Sequence, residues 1–131
     1  MINLFKKKYL DIKYFCFFSG SAFFRMFTKY EIDFINKKFI YTKQNKIDKE
    51  EKIFNLDNET ISLLKQKIYD LNYFDYNDNY VNIKIKDGHQ WDLKIKYYNK
   101  EKIVHGDNKY PDNYDDLINI INLLKEKNNI Q

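Results

Sequence analysis

The stretch Tyr80-Val81-Asn82-Ile83-Lys84-Ile85-Lys86-Asp87-Gly88-His89-Gln90-Trp91-Asp92-Leu93-Lys94-Ile95-Lys96-Tyr97 alternates apolar with polar residues on both sides of Asp87-Gly88. Successive side chains of a strand point to opposite faces, so this alternation predicts two half-buried strands joined by a turn. A two-residue loop would pair Ile85 with Gln90 and Ile83 with Asp92, setting apolar against polar. A three-residue loop, Lys86-Asp87-Gly88 with the glycine left-handed, instead sets Ile85 against His89, Ile83 against Trp91 and Val81 against Leu93. Parity selects the second register. Lys84, Lys86, Lys94 and Lys96 then project from the face opposite Trp91, and Tyr80 and Tyr98 share their parity.

Downstream, a turn at Asn99-Lys100-Glu101 leads into Ile103-Val104-His105. Pairing Tyr97 with Ile103 sets His105 beside Ile95, and Gly106 breaks the strand. A loop over 107–113 holds the only proline, Pro111. Asn113 (or Asp112) is placed to cap a last helix with Asp115 and Asp116 in its first turn, Lys125 and Lys127 near its end, and a stripe of Tyr114, Leu117, Ile118, Ile121 and Leu124.

Upstream, Asp57-Asn58-Glu59-Thr60 opens a helix whose stripe is Ile61, Leu64, Ile68 and Leu71. Before it, Asn36-Lys37 as a two-residue loop pairs Phe34 with Phe39, Ile32 with Tyr41 and Tyr30 with Lys43. Residues 46–52 are charged and read as an exposed connection. Residues 12–18 and 23–35 read as strands joined by a turn at Ser19-Gly20-Ser21. Tyr14, Phe15, Phe17 and Phe18 occupy both parities, which predicts a strand covered on both faces or one forming an interface. The order is three strands, helix, three strands, helix. That is an α+β fold of antiparallel β-meanders packed with two helices, βββα-βββα. One domain over 1–131 is expected, with the first meander and helix at 12–72 and the second at 80–127.

The chain has 131 residues, 44% apolar and 32% charged, with 12 Tyr and 11 Phe raising the aromatic share to 18%. Such a composition excludes a disordered tail, and three glycines exclude a collagenous chain or a Gly-rich phosphate cradle. Basic and acidic residues number 23 and 19, a net charge of +4, and Arg25 is the single arginine. Residues 1–56 carry twelve basic and six acidic groups and residues 57–131 eleven and thirteen, so the basic half is a candidate contact for an acidic partner. The heavy use of Lys, Asn, Ile and Tyr fits AT-rich codons and so a low-GC bacterial or phage genome. Cys16 stands alone among aromatics, which reads as an inert buried thiol in a reducing compartment. Asp11, Lys13 and Arg25 interrupt the apolar N-terminal stretch, so neither a signal peptide nor a spanning helix is expected, and the expected location is cytoplasmic.

The motif Asp87-Gly88-His89-Gln90-Trp91, followed by Gly106-Asp107-Asn108-Lys109-Tyr110-Pro111-Asp112-Asn113-Tyr114, resembles a loose family of small uncharacterised bacterial domains. Their C-terminal half carries a similar Asp-Gly-x-x-Trp strand and a Gly-x-Asn-x-Tyr-Pro-x-Asn-Tyr/Phe loop before the last helix. The resemblance covers residues 75–120 well and the N-terminal half in outline. It implies a fold and no activity.

His89 and His105 each lie near a carboxylate, Asp87 and Asp107, the minimum for acid–base work. The register above separates them by about 20 Å along the strand, so they share neither metal nor proton. No His-x-x-x-His, second cysteine or loop of alternating carboxylates suggests zinc or calcium, and Ser19, Ser21 and Ser62 lack a nucleophile-elbow context. No enzyme activity, cofactor or metal is expected. The sequence points to a binding surface made of Tyr80, Lys84, Lys86, Lys94, Lys96 and Tyr98. Its expected partner is a macromolecule, protein in preference to nucleic acid, with no membrane. The leading reading is a non-catalytic module acting by steric occlusion, an inhibitor or immunity-type protein such as an anti-CRISPR-like one. A nucleic-acid-binding domain using the Lys/Tyr face is the alternative, and a lysine coat that only prevents sheet stacking is the plain structural one. A homo-oligomer joined through the aromatic N-terminal strands is a further expectation.

Overall fold

A computed structural model describes residues 11–21, 25–84 and 88–130. Its seven strands are β1 (Ile12–Ser21), β2 (Met26–Asp33), β3 (Lys38–Gln44), β4 (Lys49–Asn55), β5 (Asn79–Val81), β6 (Gln90–Tyr97) and β7 (Lys100–Asp107). Helix α1 (Asn58–Asp70) precedes β5, a short 3-10 turn at Tyr73–Asp75 lies between them, and α2 (Tyr114–Lys127) follows β7. All seven strands form one sheet in the order β4-β3-β2-β1-β6-β7-β5. The fold is mixed α+β as expected, but a fourth strand precedes α1, and β5 runs parallel to β7.

The two meanders are joined by β1, which lies between β2 and β6. Its inward residues explain the choice: Phe15 meets Ile32 on one side and Ile95 on the other, Phe17 meets Tyr30 and Leu93, and both phenylalanines are buried. A strand paired along both edges and rich in aromatic residues is the natural centre of a sheet. Both helices cover the same face. Tyr114 of α2 lies against Phe17 and Trp91, while Leu64 and Ile68 of α1 join the same core. The outer face of the sheet carries no helix among the described residues.

Helix α1 forms where the cap and stripe predict it. The Asp57 carboxylate accepts from the Thr60 amide at 2.7 Å, and Ile61, Leu64, Ile68 and Leu71 are buried. Hydrogen bonding from the Thr60 side chain, then from its amide, holds the Asp57 carboxyl below its usual range. The last helix matches its stripe, with Ile120 buried as well. Asn113 does not cap it through its side chain. Its amide instead donates to the Leu71 carbonyl at 2.8 Å and accepts from the Tyr76 hydroxyl at 2.7 Å, tying the end of α1 to the start of α2.

The hairpins differ from expectation, each for a local reason. Strand β1 continues through Ser21, so Ser19-Gly20-Ser21 is strand and not the turn. Ile32 pairs with Phe39 and Tyr30 with Tyr41, a two-residue slip that preserves parity and therefore the buried face. The slip follows from Asp33, whose carboxylate accepts from the Ile35 and Asn36 amides at 3.0 Å each, and from Lys37, left-handed at φ 56. The charged segment after β3 is itself paired. Asn45 accepts from the Ile47 and Asp48 amides at 2.9 and 2.8 Å, turning the chain into the edge strand β4.

The hairpin expected over 80–97 does not form. Asn82 accepts from the Lys84 amide at 3.1 Å, a side-chain turn that ends β5 at Val81 and leaves Ile83 87% exposed. Lys86 and Asp87 of the expected loop, and Ile85 before it, lie outside the described residues. Gly88 is not left-handed. Between β6 and β7 the register runs three residues from the expected one, pairing Tyr97 with Lys100 and Trp91 with Gly106. An odd shift inverts the strand, so Val104 is buried and Ile103 faces outward, 53% exposed.

Candidate functional site

Alternation places Tyr14, Cys16 and Phe18 of β1 on the outer face, since Phe15 and Phe17 are buried inward. Beside them, β2 presents Lys29, Glu31 and Asp33, and β6 presents Asp92, Lys94 and Lys96. Further out, β3 adds Lys38, Ile40 and Thr42, and β7 adds Glu101, Ile103 and His105. The Phe18 and Phe27 rings stack at 5.2 Å, and Ile53 on the β4 edge is 61% exposed.

The charges on this face compensate one another. Tyr14 donates to Glu31 at 2.6 Å, Lys29 lies 3.7 Å from Glu31 and Lys94 lies 3.1 Å from Glu101. Lys96 sits 5.4 Å from the Tyr14 ring centroid, and His105 Nδ1 lies 2.8 Å from the Asp92 carboxylate. Burial, then the Glu31 carboxylate, pushes the Tyr14 hydroxyl well above its ordinary range. Burial likewise pushes the Cys16 thiol up, which keeps it protonated and a poor nucleophile.

Only part of the expected lysine–tyrosine surface is assembled. Lys94 and Lys96 share the outer face as predicted. Lys84 lies in the exposed turn after β5, and Lys86 lies outside the described residues. Tyr80 faces inward: it pairs with Gly106, stacks on Trp91 at 6.0 Å and accepts from the Asn77 amide at 3.0 Å. Tyr98 occupies the turn between β6 and β7, left-handed at φ 53 and edge-on to Tyr97 at 6.4 Å. The correction follows from the absent hairpin: with β5 on β7 instead of β6, residue parity no longer carries from Lys84 to Lys94. Sequence reasoning missed Lys29, Glu31, Asp33 and Glu101 as members of one surface with Asp92, Lys94 and Lys96. Their alternation is visible in the sequence, but their proximity depends on β1 pairing with β6.

The histidines also lie differently. His105 is opposite Asp92 on the outer face, whereas His89 precedes Trp91 on the inner side. His89 Nε2 lies 2.6 Å from Ser19 Oγ, and its Nδ1 lies 3.0 Å from the Tyr110 hydroxyl. A hydrogen-bonded Ser–His pair is the beginning of nucleophilic machinery, but its third member here is a phenol, not a carboxylate able to steady an imidazolium. The chain of contacts links β1, the entry to β6 and the loop after β7. Beside Ser19 is a shallow cavity of about 210 Å³ that Thr28, Lys43 and Gln44 also line. Among the described residues, no group of three or more His, Cys, Asp or Glu side chains is placed to hold a metal ion, and no helix is long and apolar enough to cross a membrane.

No protein-family model matches the chain, and no curated protein matches it.

Proposed function

We propose that this chain is a non-catalytic protein-binding module that covers a partner's surface with the open face of its sheet. The observation that carries this reading is that, among the described residues, both helices pack on one face of the sheet. On the other face the described residues place Phe18, Phe27, Ile40 and Ile103 on a continuous pleated surface among charges of both signs. Interfaces of this kind combine apolar anchors with a polar surround. A polyanion asks for something else, a field of one sign that releases counterions. Here Glu31, Asp33, Asp92 and Glu101 interleave with Lys29, Lys38, Lys94 and Lys96, which favours protein over nucleic acid. A rigid sheet face suits occlusion with little backbone movement, the behaviour of an inhibitor or immunity-type protein.

The test is capture from native-host lysate on immobilised chain, in nuclease-treated and untreated halves, beside an I103E variant. Ile103 is exposed, so the substitution alters the face and spares the core. The expected result is a protein that survives nuclease and is lost with I103E. Recovery that vanishes with nuclease makes the chain a nucleic-acid binder, and a captured set unchanged by I103E places any interface elsewhere.

A further inference from the structure

The outer face has an internal order that compensation within the sheet does not require. Across β3, β2, β1, β6 and β7, one row reads Lys38, Asp33, Tyr14, Lys96, Glu101, and the next reads Ile40, Glu31, Cys16, Lys94, Ile103. The third reads Thr42, Lys29, Phe18, Asp92, His105. Read outward from β1, each charged position on β2 meets the opposite sign at the same row of β6. The same holds for Lys38 on β3 and Glu101 on β7, while Ile40 answers Ile103. Strands β2 and β6 do not touch, because β1 separates them by about 10 Å. In-sheet salt bridging therefore does not account for the correspondence.

A two-fold axis lying above β1, parallel to it, does account for it. Rotation about that axis keeps β1 over its copy and exchanges the two flanks of the sheet. Glu31 then opposes Lys94, Asp33 opposes Lys96, Lys29 opposes Asp92 and Lys38 opposes Glu101, each twice. Ile40 opposes Ile103, and the uncharged side chains of Tyr14, Cys16 and Phe18 lie along the axis. Sheets pack face to face in this aligned way, about 10 Å apart, at roughly −30°. It is also the self-complementary arrangement that a closed dimer needs, where residue i meets j and j meets i. An axis running across the strands brings like charges together in either register. At the Cys16 row it sets Glu31 and Lys94 each against its own copy. Midway between the Cys16 and Phe18 rows it pairs Glu31 with Lys29 but sets Glu101 against Asp107, whereas the axis along β1 brings no like charges together.

We infer that the occupant of this face is a second copy of the chain, forming a two-fold dimer by sheet-on-sheet packing about β1. This rests on reading the face as a protein-binding surface.

Sedimentation equilibrium over a concentration series is the test. The native chain is expected to be a dimer. K94E sets two acidic groups against the two Glu31 carboxylates, and E31K sets two bases against the two Lys94 ammoniums. Each single variant should weaken dimerisation by roughly a hundredfold or more while keeping its circular dichroism. An equimolar mixture of the two should dimerise again, because in the mixed pair opposite charges meet at both contacts. The E31K/K94E double variant should recover for the same reason. If E31K unfolds the chain by releasing Tyr14, the same exchange at Lys29 and Asp92 (K29E with D92K) carries the test. A native chain that stays monomeric at high concentration overturns the inference, as does a dimer indifferent to both reversals or a mixture that fails to recover. A monomer that still captures a partner through Ile103 overturns the dimer alone. A monomer that captures nothing overturns the binding surface as well.

Discussion

Gly106 holds its place because Trp91 lies across from it. The indole is fully buried, stacks on Tyr80 and donates from Nε1 to the Lys109 carbonyl at 3.0 Å. A Cβ at Gly106 would fall inside that ring. The residue therefore sits within β7 and does not end it. Gly106→Ala should destabilise the chain by about 3 kcal/mol, since overpacking a rigid core site costs on that order. Urea unfolding reads the loss, and combining it with W91F should give less than the sum of the two, because the second change removes part of the obstacle. That Trp91 is a core residue was legible from its alternation. That a glycine makes its seat was not, because the partner strand lay three residues from the expected register.

Turn chemistry decided the elements where periodicity alone did not. The α1 cap and stripe are local signals, complete within one turn and one helix face, so the sequence reading and the structure agree there. Asp33, Asn45 and Asn82 each bond nearby backbone amides, and those bonds fix loop length, create β4 and end β5. The sequence reading placed Asp33 and Asn82 inside strands and gave Asn45 no role, because an Asp or Asn side chain can bond a nearby amide or leave it to the strand ladder, and spacing alone does not choose between them. His89 shows an element contact with a pH consequence. Burial holds its imidazole below the ordinary value of 6.5 in the folded chain, so as pH falls the unfolded chain takes up the proton first. The stabilisation is full above about pH 6.5 and is lost as pH drops toward the folded value. Stability should therefore fall as pH drops below about 6.5, and H89Q should flatten that slope in urea titrations.

At the scale of the molecule, the central position of β1 sets both the core and the outer surface. Its pairings with β6 join residues far apart in sequence, such as Phe15 and Ile95. Hydrogen exchange should follow this topology: slowest at the amides of β1 and β6 near Phe15, Phe17 and Leu93, faster along edge strands β4 and β5. Equal protection of β4 and β1 would contradict the assigned order. The edges are also blunted, β4 by Lys49, Glu50, Glu51 and Lys52 and β5 by being three residues long, which steers association from edge pairing to the face. The sequence by itself determined the α+β class, the two amphipathic helices and which strand residues alternate, because helix stripes and strand pleats are written in spacings of a few residues. Only the tertiary structure decided that the meanders merge through β1, that β5 turns parallel to β7, and that β2 and β6 oppose their charges on one face. Those outcomes depend on which distant strands bury the most surface together, and a slip of one residue in that choice turns every side chain over.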